Sequence, residues 1–289
     1  MIRRPPRSTQ GVSSAASDVY KRQLAIMHGG SDVQKENYLT KISSNTVKFG
    51  IGLSEYIGAR EDAKLIINGN KVNGKALFVI DADDASHFIL SDDQGTMFIV
   101  DADDSGLEVI ELTSVDKTRS YVEILLKNVT AEILDNTVKN NNAIEKTIDA
   151  GRIMLAADSV GAAQVMIDKS VEYAKERKQF GRVIGSFQAV KHMCAEMTAE
   201  LEPCYAIVWH AAHCFDYIPE EARLLACQSK SHISEVTKMV AKKATEVHGG
   251  MGFTDLLGLH YWFKRIGMNR QLLGSPELVR DEAGKIQGF

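Results

Sequence analysis

The side chains with metal or redox chemistry in this 289-residue chain are few and scattered. His210 and His213 stand three apart in Trp209-His-Ala-Ala-His-Cys214, and imidazole is the commonest metal ligand. No third ligand is obvious nearby, so ordinary helix-surface histidines are expected and no metal is assigned. Cys194, Cys204, Cys214 and Cys227 form no Cys-x-x-Cys pair. A disulfide framework is not expected in a chain this large, and a reduced, intracellular protein fits better. Ile80-Asp-Ala-Asp-Asp-Ala85 recurs twenty residues later as Val100-Asp-Ala-Asp-Asp-Ser105. A calcium loop needs more ligands, a glycine at the turn and a closing glutamate, so both copies read as solvated acidic turns between strands.

The elements around these residues divide into two regimes. Composition is that of a globular chain, 44% hydrophobic and 25% charged, long enough for two domains. A net charge of −4 argues against a general nucleic-acid binder. No run of eighteen apolar residues occurs to span a membrane. Residues 1–23 stand apart, with five basic residues and one acidic residue. They are similar to a mitochondrial transit peptide and to the translation of a sequencing adapter. On either reading they form a non-native or unstructured tail, outside the fold.

Residues 24–135 carry short β-like runs: 47–53, 63–67, 75–80, 87–90, 97–100, 107–112 and 121–126. Asn68-Gly69, Asn73-Gly74, Asp92-Asp93-Gln94-Gly95 and Ser105-Gly106 separate them, which predicts an antiparallel sandwich or barrel. From 136 to 289 the period becomes helical, with Ile144, Ile148, Leu155, Val160 and Ile167 near one face. That first helix is expected to run toward Phe180. A second is expected from an N-cap at Ser186, with a kink at Pro203, and a third from Pro219-Glu220-Glu221 to Gly249-Gly250. A last segment, about 256–286, breaks near Gly274-Ser275-Pro276. The expected fold class is α+β: an antiparallel β-barrel-like domain, then an antiparallel four-helix-bundle-like domain.

Three stretches of the helical region are specific: Glu172-Tyr-Ala-Lys-Glu-Arg-Lys-Gln-Phe-Gly-Arg-Val-Ile-Gly-Ser-Phe-Gln188, Val247-His-Gly-Gly-Met-Gly-Phe253, and His260-Tyr-Trp-Phe-Lys-Arg265 followed by Leu272-Leu-Gly-Ser275. In order and spacing they resemble the C-terminal domain of acyl-CoA dehydrogenases. Phe49-Gly-Ile-Gly-Leu-Ser-Glu55 looks like the family's Leu-Thr-Glu strand, and Asn73-Gly-Lys-Ala-Leu-Phe-Val-Ile80 like its flavin-covering segment. The Phe-Lys-Arg and Leu-Gly-Ser-Pro patterns look most like the branch acting on bulky or steroid-side-chain acyl-CoAs. The family's N-terminal helical domain is absent except for turns near Ser31 to Lys41, so the chain reads as a fragment, expected to be poorly stable or inactive alone.

The resemblance implies FAD as cofactor, an acyl-CoA substrate, an electron-transfer flavoprotein or similar acceptor, and a homo- or hetero-oligomer. The implied reaction takes a proton from the α-carbon of the thioester and a hydride from the β-carbon. Arg177 matches the arginine that reaches the FAD pyrophosphate, a task suited to a guanidinium fork; a surface ion pair is the alternative. Phe180 and Phe78 match rings near the flavin, with core packing as their alternative. Ser54 matches a hydroxyl at the isoalloxazine edge, where Ile80 replaces the second hydroxyl. Gln188 matches a position near adenine. Gly249 and Gly250 match a turn that approaches FAD, or form a plain helix C-cap. Glu246 stands where relatives carry glutamine near the pyrophosphate; an ionised glutamate there donates no hydrogen bond and repels phosphate, which either weakens FAD binding or implies a protonated or turned-away side chain.

The two usual positions for the catalytic base hold Leu273 and Gly151, neither of which accepts a proton. Asp149 lies two residues from Gly151, about 200° around a helix, and Glu277 lies beyond Gly274 and Pro276. No catalytic residue is therefore assigned. The reading is an FAD-dependent acyl-CoA dehydrogenase, with a non-catalytic subunit of a hetero-oligomeric dehydrogenase and a flavin-free binding protein as alternatives.

Overall fold

The computed structural model describes residues 21–58, 64–138 and 142–289, which form two compact units dividing between Gly151 and Arg152.

The first unit is built on a β-barrel. Its strands are β1 (Phe49–Gly52), β2 (Leu65–Asn68), β3 (Lys71–Ile80), β4 (His87–Ser91), β5 (Met97–Asp101), β6 (Leu107–Glu111) and β7 (Tyr121–Ile133). The ring β3-β1-β4-β5-β7 closes on itself through a β3–β7 pairing, while β2 and β6 extend it on β3 and β7. Closure leaves no unpaired edge within the ring. Val72, Val79, Phe88, Phe98, Val122 and Ile124 fill the interior. Every pairing is antiparallel except β1–β4, which is parallel and corrects the expectation of a wholly antiparallel barrel. The β2–β3 hairpin lies between β1 and β4 in the chain, so the two strands enter the sheet in the same direction.

Both acidic repeats lie at strand ends. The Asp101 carboxylate accepts from the Asp103 N–H (3.0 Å) and that of Asp104 from the Gly106 N–H (2.9 Å), as expected for turns. Residues 21–29 are helical (α1), followed by α2 (Asp32–Ser43). Residues 21–23, expected in the tail, thus stand in α1, where Arg22 pairs with Asp81 at 2.9 Å. The Gln34 amide of α2 donates to Glu132 (2.9 Å) and to the Ile133 carbonyl (2.8 Å) on β7.

The second unit holds the body of α3 (Asn142–Glu176), with α4 (Gln188–Tyr217), α5 (Pro219–His248), α6 (Leu259–Gln271) and α7 (Pro276–Ile286). Three long helices are followed by a last segment that breaks, as expected, before Pro276 into the two short helices α6 and α7, so the four-helix set holds only in part. Met166, Met197, Leu201, Ile233, Val240 and Ile266 belong to the common core of α3 to α6, while Val279 and Ala283 of α7 pack with Cys227 of α5. The first helix stops at Glu176, short of Phe180, because a two-stranded hairpin intervenes: β8 (Lys178–Gln179) and β9 (Arg182–Val183). Phe187, not Ser186, is the N-cap of α4; the Ser186 hydroxyl donates backward to the Val183 carbonyl at 2.7 Å. The helix then runs through Pro203 to Tyr217.

A buried polar network locks α6 to α3. Arg265 is 3% exposed and donates through Nε (2.8 Å) and Nη2 (2.6 Å) to the Asp158 carboxylate. Asn269 donates to the same carboxylate (2.6 Å) and to Ser159 Oγ (3.1 Å). The buried Lys230 ammonium donates to the Arg270 carbonyl (3.1 Å) and to that of Asn269, placing positive charge at the C-terminal end of α6. Asp158→Ala removes the buried carboxylate that Arg265 and Asn269 share, so we expect it to lower the unfolding free energy by about 3–5 kcal/mol. A urea titration showing a loss below about 1 kcal/mol would remove this network from the framework of the unit.

Candidate functional site

In the barrel unit, the candidate residues meet at one end of the β1–β3 pair. Ile51 lies opposite Ile80. A Cβ on Gly52 would come within 2.6 Å of the Val79 side chain, so glycine is what permits this approach. Ser54 begins the turn after β1 and is half-buried. Between Ala76 and Val79 the β3–β7 register slips, and within that bulge Phe78 adopts φ +52° with its side chain half-buried. Ile80 is buried and offers no hydroxyl.

Glu55 enters beside this bulge. Its side chain is 4% exposed, and Oε1 accepts from the Leu77 N–H at 2.8 Å while Oε2 has no hydrogen-bond partner among the described residues. Burial pushes the carboxyl up to about 7, against the lowering effect of the Leu77 and Glu55 N–H groups. In the sequence Glu55 is only the end of a motif; nothing there reveals that a strand amide 22 residues later would need its oxygen.

In the helical unit, the candidates gather around the end of α3. Arg177 is exposed, and its guanidinium makes no hydrogen bond or ion pair with any described residue, so a surface ion pair is not its explanation. The Arg177 carbonyl accepts from the Ile184 N–H at 2.8 Å, closing the base of the hairpin. Phe180 and Gly181 form the two-residue tip at φ +52° and +76°. Such tips favour Asn-Gly, because a bulky residue resists positive φ. Phe180 is nevertheless there and 91% exposed, which rules out core packing. Its ring meets Phe187 edge-on at 6.2 Å, and Arg182 lies over the Phe187 ring at 3.9 Å. Gln188 follows, exposed, as the first residue of α4. A Cβ on Gly185 would sit 2.8 Å from the Ala174 carbonyl, so glycine lets the hairpin return close to α3.

Tyr173 stacks on His248 at 4.6 Å and lays the last turn of α3 beside the end of α5. Glu246 is exposed there, in keeping with a side chain turned to solvent. Gly249 takes φ +58° as the C-cap. Gly250 is exposed with open space where a Cβ would stand, so this chain's own packing does not require glycine at that position.

The loop after α6 has its own geometry. Leu273 adopts φ +56° and Gly274 φ +102°. Arg152, 2% exposed, donates through Nε to the Leu273 carbonyl (3.0 Å), through Nη1 to Cys227 Sγ (3.2 Å) and through Nη2 to Glu282 (2.8 Å). The Leu273 N–H donates to no backbone carbonyl among the described residues. Glu277, the nearest carboxylate in sequence, accepts from Arg270 at 2.8 Å and is held down to about 2 by nearby N–H groups, Ser275 and that guanidinium. It is poorly suited to take a proton. Asp149 is buried in α3, and Gly151 directly precedes Arg152.

Away from these residues, the ligand atoms of His210, Cys214 and Glu221 lie within 4.8 Å of one another. Glu221 comes from α5, which is why no third ligand is evident near the histidines in sequence. His213 turns instead toward Tyr217. Burial, then Glu221 and Glu220, push the Cys214 thiol up and keep it protonated. No described helix is long and apolar enough to cross a membrane.

The acyl-CoA dehydrogenase C-terminal domain model matches residues 141–286. The chain is 32% identical to a probable acyl-CoA dehydrogenase, YngJ, of Bacillus subtilis, over 93% of this chain and 74% of that protein. It is 41% identical to the CarC subunit of the caffeyl-CoA reductase–Etf complex of Acetobacterium woodii, over 37% of this chain and 28% of that one. Butyryl-CoA dehydrogenase from Megasphaera elsdenii superposes with a TM-score of 0.86 at 22% identity, covering 96% of this chain and 78% of that structure.

Two outcomes follow from the site's own chemistry. Phe180→Asn relieves the strained hairpin tip, and we expect chemical denaturation to show a gain of about 0.5–1 kcal/mol; an unchanged or lower stability contradicts the strain. Glu55 has a folded-state pKa near 7, above its ordinary 4.5. Its protonation therefore stabilises the fold fully below about pH 4.5, and that contribution is lost as pH rises through 7. Against wild type, Glu55→Gln is expected to gain about 2–3 kcal/mol in relative stability between pH 4.5 and 8. A pH-independent difference would mean that Glu55 is not held neutral.

Proposed function

The chain belongs to the acyl-CoA dehydrogenase family, and from that membership we propose that it carries out FAD-dependent α,β-dehydrogenation of an acyl-CoA thioester. The observation that carries the reading is the loop at Leu273, which keeps a strained, pinned backbone and an open N–H although its side chain has no chemistry. That N–H suits the thioester carbonyl oxygen, where a hydrogen bond lowers the cost of charge developing on oxygen.

The chain's residues fit the cofactor. Arg177 is an exposed guanidinium with no partner among the described residues, suited to grip pyrophosphate oxygens in pairs. Gly250 leaves bare backbone facing open space for close approach. Glu246 points to solvent and spares the phosphates a buried negative charge. Phe78 and Phe180 would present their rings to the flavin region, Ser54 its hydroxyl to the isoalloxazine edge, and Gln188 its amide to the adenine end. Bound FAD supplies the hydride acceptor.

Leu273 polarises through its backbone but removes no proton, and Glu277 is committed to Arg270. An acyl group larger than butyryl is favoured by the Phe263-Lys-Arg265 and Leu273-Gly-Ser-Pro276 patterns, and caffeyl-CoA in the name of one relative's complex is of that kind. An electron-transfer flavoprotein as acceptor rests on that same complex, and an oligomer on the exposure of Arg177 and Phe180.

The test is anaerobic titration of the purified flavoprotein with a panel of acyl-CoAs, followed at the oxidised-flavin band, on wild type and Leu273→Glu. The expected result is bleaching by a bulky acyl-CoA, at least tenfold faster in Leu273→Glu because the loop already holds residue 273 in place. A band that persists with every acyl-CoA in both proteins rejects dehydrogenation. Equal rates in the two proteins reject position 273 as the place for the base.

A further inference from the structure

We propose that Glu55 is a positioning residue for the cofactor site, its buried carboxyl holding the Leu77 amide and so fixing the β3 bulge that presents Phe78. The inference rests on the reading above in taking Phe78 as a flavin-facing ring.

The register slip between Ala76 and Val79 leaves the Leu77 N–H without a cross-strand partner on β7. Leu77 is 2% exposed, and a buried amide left unpaired costs about 1–3 kcal/mol. Glu55 Oε1 answers it at 2.8 Å. Phe78 then sits between two fixed neighbours. Leu77 is tied to Glu55 on one side, and Val79, fully buried, is paired with Val122 on the other. A bulky residue persists at φ +52° only where its surroundings over-determine it, and these two ties do so. The acceptor comes from the turn that also carries Ser54, so one carboxyl couples the two barrel-side contacts proposed for the cofactor.

The residue acts as a neutral acceptor. No ion pair reaches it among the described residues, and Oε2 is buried without a partner, an arrangement unfavourable for a carboxylate. Glutamine therefore reproduces the contact, because its amide oxygen still accepts from Leu77. Leucine keeps the volume and removes the acceptor.

The experiment compares wild type, Glu55→Gln and Glu55→Leu by residue-resolved amide hydrogen exchange and by flavin retained after gel filtration. In Glu55→Leu, the Leu77 and Phe78 amides are expected to exchange at least tenfold faster while Val72, in the same strand, keeps its protection. Retained flavin is expected to fall at least tenfold, and Glu55→Gln to match wild type in both respects when the comparison is made well below the Glu55 pKa of about 7, where the wild-type carboxyl is itself neutral. Unchanged Leu77 exchange in Glu55→Leu overturns the proposal, as does a loss of protection spread evenly over the barrel, or normal flavin retention beside a freed Leu77. If Glu55→Leu does not fold, Glu55→Gln decides: wild-type exchange and flavin retention support the neutral clamp, and exposed Leu77 overturns it. If wild type holds no flavin, the cofactor reading fails first, and Leu77 exchange still decides whether the clamp exists.

Discussion

A guanidinium removed from water must find acceptors for its donors, and in the helical unit Arg152 imposes that requirement on everything around it. Its partners come from the loop after α6 (Leu273), from α5 (Cys227) and from α7 (Glu282). Burial would raise the Glu282 carboxyl, but hydrogen bonds and charge from Arg152 and Arg223 outweigh it and hold Glu282 ionised. The arrangement therefore fixes α7 and the Leu273 loop on α3 together, and glycine at 274 completes it, since a Cβ there would meet Val279 at 2.9 Å.

Backbone strain marks the same residues that sequence resemblance does, by an independent route. Seven described non-glycine residues have positive φ. Four are Asn45, Asp81, Asp84 and Asn128, whose short polar side chains tolerate that region. The other three are Phe78, Phe180 and Leu273, bulky residues for which it is costly. Each is held there by an identifiable device: a β-bulge with a carboxyl clamp, a two-residue hairpin tip, and a carbonyl tied to Arg152. The physical inference runs from the strain to the role, and it selects three of the positions that matter most for the proposed chemistry.

Much of this was legible in the residues. Short β-like runs bounded by turn residues placed the seven strands, although Asn73-Gly74, expected as a turn, lies inside β3 at a register shift of its pairing with β7; Pro219 and Gly249 bracketed α5 because each has a conformational reason to stand at a helix end. What was not legible depends on residues far apart in the chain. The parallel β1–β4 pair follows from connectivity, which periodicity does not encode. The hairpin after α3 is too short to display a period, so the helical pattern alone carries the helix on toward Phe180. Glu55 and Leu77 are 22 residues apart and Arg152 and Leu273 are 121 apart. No local pattern announces either contact, although a charged or acidic residue inside an apolar stretch is the one available signal that a distant partner must exist.

On the proposed function, the two halves of the site's chemistry separate at the Leu273 loop. Leucine gains nothing from a left-handed backbone, and its side chain is only half-buried, so packing does not explain the conformation. The conformation is set from outside the residue, by Arg152 on its carbonyl and by the glycine that follows. A polarising hydrogen bond needs only the direction of an N–H, and that direction is a property of the loop. Proton removal needs a titratable side chain, and that is a property of one codon. A chain can therefore lose the second while the first persists unchanged, because the residues that hold the loop lie elsewhere and answer to the stability of the helical unit.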